Sequence, residues 1–139
     1  MGRFTNKTKS WEKNFPKRFN QVAQMAVSRM ANDAGEPIAK GGRMPVDTGF
    51  LRASVDAEVG RMPSGQSKNT SNAPVAYTGA GLTASILRWN AASGEPLYIG
   101  WVAQYARPME YKYGFMRGAA EKWDGYVDGI ARRARLSGL

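Results

Sequence analysis

The chain has 139 residues, 20 Lys and Arg against 11 Asp and Glu, and neither Cys nor His, which leaves a formal net charge of +9. That length suits one domain with a real core. Without Cys or His there is no disulfide framework, no thiol or imidazole catalysis, and no zinc held by thiolate or imidazole.

No apolar run is long enough to span a membrane, and the basic N-terminus lacks the apolar stretch of a secretory signal. A soluble protein that matures in a reducing interior is expected. The positive excess points to an acidic partner, either nucleic acid or an acidic protein surface. Arg3, Lys7, Lys9, Lys13, Lys17 and Arg18 crowd the N-terminus with only Glu12 opposing, and Arg132, Arg133 and Arg135 close the chain. Two readings stand: solubilising ends, or basic arms that meet DNA or a neighbouring subunit. Phe4, Trp11 and Phe15 lie among these charges without the stacking motif of a single-strand binder.

Residues 1–8 read as a flexible basic arm. From about Ser10 to Asp33 the pattern is helical, with Phe19, Val22, Ala23, Ala26, Val27 and Met30 at three- and four-residue spacing. Pro16 either kinks this helix or opens a second one. Asn32, Asp33 and Gly35 supply the stop, and residues 35–49 read as loop. Phe50 to Val59 alternates, with Leu51, Ala53, Val55, Ala57 and Val59 on one side, and predicts a half-buried strand.

Residues 60–80 are rich in Gly, Pro, Ser and Asn. They predict a long mobile loop with room for a short strand near Val75–Tyr77. Leu82, Ile86 and Trp89 hint at a short helix, with a strand as the alternative, and 91–96 reads as a turn. Leu97–Ala103 reads as a second, central strand. Tyr105 to Gly114 gives a helical turn or two. Met116, Ala119, Ala120, Trp123, Tyr126, Val127 and Ile130 then form an apolar helical stripe, and Asp128 and Arg132 are spaced to pair. Gly118, Gly125 and Gly129 each weaken that helix by about 1 kcal/mol relative to Ala, so it depends on packing.

The expected fold is α+β over a single domain, 1–139. Amphipathic N- and C-terminal helices pack on a small, mostly antiparallel sheet. Two strands alone are marginal, so the long loop holds more strands or a partner subunit completes the sheet.

No active site emerges. Ser54 and Ser85 lack a His base. Asp47, Asp56, Glu58, Glu95 and Glu110 do not repeat at metal-ligand spacing. Gly79-Ala80-Gly81 lacks the Lys-Ser/Thr of a P-loop. A metal nuclease needs only carboxylates, but no spacing here supports one. The expectation is a protein that is not an enzyme and carries no cofactor and no metal.

Two stretches are more specific. The first is Pro45-Val46-Asp47-Thr48-Gly49-Phe50-Leu51-Arg52-Ala53-Ser54-Val55. The second runs from Tyr98-Ile99-Gly100-Trp101 through Tyr105-Ala106, Glu110 and Gly114 to Phe115-Met116-Arg117-Gly118-Ala119-Ala120. In this order they resemble the neck or tail-completion proteins of long-tailed phages, the gene-product-ten-like family related to lambda Z-type proteins. The likeness covers roughly residues 20–133. Gly118 stands where that family commonly has proline.

The resemblance implies a virion structural protein that forms a homo-oligomeric ring, expected to be a hexamer. The ring would join the head connector or stopper to the tail terminator or tube, after assembly in the host cytoplasm. It implies Asp47, Thr48, Gly49, Arg52, Tyr105, Glu110 and Arg117 as subunit-interface candidates. Arg3, Lys7, Lys9, Lys13, Lys17 and Arg18 are the candidates for packaged DNA or an acidic partner. A tail terminator ring and a free nucleic-acid-binding protein are the alternatives.

Those residues also have a local reading. Asp47 and Thr48 suit an Asx- or ST-type turn, and Gly49 supplies a φ other residues resist. Arg52 is expected to point outward. Glu110 is expected to bridge to Arg107 or Arg117, or to pair across a ring interface. Tyr105 suits core or sheet-edge packing. A globule of this length is about 37 Å across, so six in contact leave a hole about one globule wide. The basic arm or the 60–80 loop is expected to order on assembly.

Overall fold

The computed structural model describes residues 2–64 and 73–136, with side chains from Pro16 to Ala134 within those ranges. The fold is α+β. Helix α1 (Gly2–Ala34) leads, followed by a short turn α2 (Phe50–Ala53) and strand β1 (Val55–Val59). Then come α3 (Ala80–Arg88), β2 (Leu97–Trp101), α4 (Ala106–Tyr113), α5 (Phe115–Ala120) and α6 (Trp123–Leu136).

The apolar stripe of α1 makes it the spine. Ala26, Val27, Ala31 and Ala34 are buried along it. One edge receives Tyr126 and Ile130 of α6; the other joins Ala57 of β1 and Leu82 and Ile86 of α3. The helix continues through Pro16, which leaves one backbone bond unmade without ending it. Residues 2–8, expected as a flexible arm, are its first turns. The Gly35 N–H then closes the helix on the Ala31 carbonyl at 3.1 Å.

Strands β1 and β2 pair antiparallel, with Val55 opposite Trp101, Ala57 opposite Ile99 and Val59 opposite Leu97. Among the described residues this is the whole sheet. No strand forms at 75–77, and β2 is half of a pair rather than central. The rest of the expected 60–80 loop, residues 65–72, lies outside the described residues. The sheet is covered by α1 and α3, whose Val27, Ala31, Leu82 and Ile86 pack with Val55, Leu97 and Ile99. That cover replaces the missing strands as a source of apolar burial.

Two expected elements are corrected. The strand predicted from Phe50 begins only at Val55, because Phe50–Ala53 form a helical turn. Four residues with Leu51 inward satisfy one turn of helix as well as a period of two. The C-terminal helix is two helices, broken at Glu121 and Lys122, which hydrogen-bond back to Arg117 and Ala119. The expected Asp128–Arg132 pair does not form. The ion pairs among the described residues are Arg29–Asp33 at 3.8 Å and Arg61–Glu58 at 2.8 Å.

Tyr126 docks α6 beneath the end of α1. Its hydroxyl is sealed from solvent beside Asp33 without a well-formed hydrogen bond. Burial first, and the Asp33 carboxylate second, push it up to about 12 from the usual 10. The neutral phenol is therefore the form that the fold favours. This contribution is complete below pH 10 and is lost as pH rises through about 12. In Tyr126→Phe the latest step of the phenolate absorbance titration should vanish. Stability, followed by circular dichroism, should then fall less steeply between those two values.

Candidate functional site

Both specific stretches converge on one apolar knot. Met44, Leu51, Ala103, Ala106 and Phe115 are buried together, with Phe50, Trp101 and Met109 packed around them. Trp101 meets Phe115 edge-on, with ring centroids 5.1 Å apart at 75°. Met44 reaches this knot because the 36–44 loop folds back. The Met44 N–H donates to the Glu36 carbonyl, and its own carbonyl accepts from Ile38. A narrow apolar cavity lined by Met30, Ile99, Trp101 and Met116 lies beside it, and the Trp101 indole N–H is buried with no partner among the described residues.

The turn before α2 is built as its residues suggest. Thr48 Oγ1 accepts from the Phe50 N–H at 3.3 Å, an ST-type turn. Gly49 takes φ 87°. The Thr48 carbonyl also accepts from the Val75 N–H at 2.8 Å, which straps residues 73–79 across the turn. Asp47 is exposed and joins no cluster among the described residues.

Arg52 departs from expectation. Its guanidinium stacks 4.4 Å from the Tyr77 ring centroid, and its Nε is buried without a partner among the described residues. A desolvated N–H costs about 1–3 kcal/mol, and the stacking on Tyr77 offsets part of that. Arg52 is therefore a half-buried clamp on the 73–79 segment rather than a side chain directed freely into solvent. Tyr105 stays partly exposed at the start of α4, its ring 6.2 Å from Phe50.

Glu110 also departs. Its carboxylate reaches over Gly114 to the first turn of α5, accepting from the Met116 N–H at 2.7 Å and the Arg117 N–H at 3.0 Å. It caps α5 and bridges to neither the Arg107 nor the Arg117 guanidinium. Acidic capping of a helix start satisfies orphan donors and complements the helix dipole. Glu110→Ala should cost about 1–2 kcal/mol in a denaturant titration, and Glu110→Gln, which keeps one acceptor, less.

The Arg117 guanidinium is exposed and shares its neighbourhood with Arg43, which no sequence motif singled out. A Cβ placed on Gly114 would stand 2.9 Å from Arg117 Nη2 and 3.5 Å from Arg43 Nη1. On Gly118 it would stand 2.7 Å from Arg43 Nη1. Arg43 thus lies flat on the glycine face of α5. The signal was available in Gly114 and Gly118, one helical turn apart on a short apolar helix.

The geometry therefore groups Thr48, Gly49 and Arg52 in one strapped turn and joins Tyr105 to it through Phe50. It sets Glu110 and Arg117 at a second joint one helix away and leaves Asp47 apart. Lys17 and Arg18 are exposed on α1. Arg3, Lys7, Lys9 and Lys13 stand on its helical backbone, and their side chains lie outside the described residues. Among the described residues no three acidic side chains gather to hold a metal ion, and no helix is long and apolar enough to cross a membrane. No protein-family model, no curated protein and no solved structure matches the chain.

Proposed function

We propose that the chain is a structural protein of a long-tailed phage or phage-like particle. It assembles with copies of itself into a ring, taken as hexameric, at the joint between head connector and tail. Its work is assembly rather than catalysis, and closure of the ring fixes the copy number. The observation that carries this reading is the order of the Pro45–Val55 and Tyr98–Ala120 stretches, which resemble the neck and tail-completion proteins. In the folded chain these two stretches share one core through Leu51, Ala106 and Phe115. Of the interface candidates, Asp47, Tyr105 and Arg117 keep exposed surface for a neighbour, whereas Arg52 and Glu110 are engaged within the chain.

Disrupting the gene in its producing strain and imaging the particles tests the proposal. Filled heads beside separate tails of normal length are expected. Overlong or ragged tails would instead make the chain a tail terminator. Intact infectious particles would overturn both and leave the basic charge as the guide, toward a free nucleic-acid-binding protein.

A further inference from the structure

We infer that Arg43 and Arg117 form a binding site for a phosphate group of a nucleic-acid backbone, seated on the glycine face of α5. Both side chains are exposed. Their guanidinium nitrogens approach the same point above Gly114, at 2.9 and 3.5 Å. Among the described residues neither guanidinium has an ion-pair or hydrogen-bond partner. The carboxylate at this joint, Glu110, gives an oxygen to each of the Met116 and Arg117 N–H groups. Two like charges are thus held side by side, with no described carboxylate paired to either.

The fold holds them there by construction. Arg43 leaves the loop that carries Met44 into the core, and Met44 is fully buried. Its head is laid on Gly118, where any side chain would displace it. Arg117 is fixed at its backbone by Glu110. Two guanidinium forks anchored in this way offer convergent N–H donors to one tetrahedral oxyanion. The bare backbone at Gly114 and Gly118 is what lets the two heads lie this close to the helix, with their outer faces toward solvent. Net charge selects the source of that anion. A second copy of this chain also carries +9, whereas a nucleic acid is a polyanion.

The site does not depend on the head–tail position, since a free nucleic-acid-binding protein would use it in the same way. The test compares Arg43→Gln/Arg117→Gln with Arg29→Gln/Arg61→Gln in the full chain. Each removes two positive charges, but Arg29 and Arg61 are already paired with Asp33 and Glu58. Glutamine keeps the aliphatic stems, and thermal melts verify that both variants fold. Binding of a short mixed-sequence duplex is titrated between about 50 and 200 mM salt.

The slope of log affinity against log salt should fall by about 0.9 in the Arg43/Arg117 variant, for the one phosphate no longer neutralised. In the control variant it should change by less than half of that. Equal reductions in the two variants would overturn the site and leave only net charge. An unchanged slope in the Arg43/Arg117 variant would overturn it as well. Sedimentation without DNA covers the rival ligand. If the Arg43/Arg117 variant loses an oligomer that the control keeps, while its duplex slope matches the control, the anion is a carboxylate of a second copy and the phosphate site is wrong.

Discussion

Phe115→Ala should be the most damaging single truncation among the described residues, at about 3–5 kcal/mol. Phe115 is 1% exposed and is among the largest fully buried side chains. Its removal takes away transfer free energy and also leaves a hole that its neighbours cannot fill. Met44 arrives on a loop tied by backbone hydrogen bonds, and Leu51 on a helical turn fixed by the strap at Thr48. Trp101 is held in β2 by its pairing with Val55. Each of these neighbours is constrained from a different direction, so collapse is resisted and the cost lies toward the upper end of that range. A domain of this size is stable by about 5–15 kcal/mol, so the loss takes a large share.

The melting temperature should fall by roughly 12–20 °C, at about 4 °C for each kcal/mol. Phe115→Leu, which keeps most of the volume, should cost under about 1.5 kcal/mol. Differential scanning calorimetry of the two variants separates the outcomes. If alanine costs no more than leucine, the knot at Phe115 is not the joint that holds the two specific stretches together.

What could be read from the residues, and what could not, divides along physical lines. The α1 stripe was legible because apolar spacing sustained over several turns has one solution. Strand β1 was legible over Val55–Val59, where alternation and β-branched residues agree. Four residues at Phe50–Ala53 fit helix and strand alike, and the left-handed Gly49 before them decides for the helical turn. The break at Glu121 was invisible because the apolar stripe continues in register from Ala120 to Trp123.

Side-chain roles divide in the same way. Thr48 and Gly49 act locally, and their turn was readable. Glu110 was misread because its partners are backbone N–H groups across a glycine, which no residue identity advertises. Arg52 was misread because its partner, Tyr77, comes from a segment with no periodic pattern. Arg43 was missed for a third reason: its seat is defined by the absence of side chains at Gly114 and Gly118.

Gly49→Ala should cost about 3 kcal/mol, and the comparison that explains this figure is Gly41→Ala. Both glycines adopt nearly the same left-handed conformation, φ 87° and 92° with ψ near 1°. An alanine in that conformation pays about 1–2 kcal/mol wherever it sits. At Gly41 the new methyl meets nothing within 4 Å, so the conformational cost is the whole effect. At Gly49 it would stand 2.7 Å from the Val75 carbonyl oxygen, a contact that backbone must yield to relieve. Moving Val75 away stretches its 2.8 Å hydrogen bond to the Thr48 carbonyl, worth about another 1 kcal/mol, and draws Tyr77 off Arg52. The difference between the two variants therefore measures the strap on residues 73–79 with the conformational cost removed. In Gly49→Ala the Val75 amide should also exchange with deuterium faster than in the parent, whereas in Gly41→Ala its exchange should be unchanged. Equal stability losses would mean that the strap contributes nothing and that Gly49 is present for its backbone angle alone.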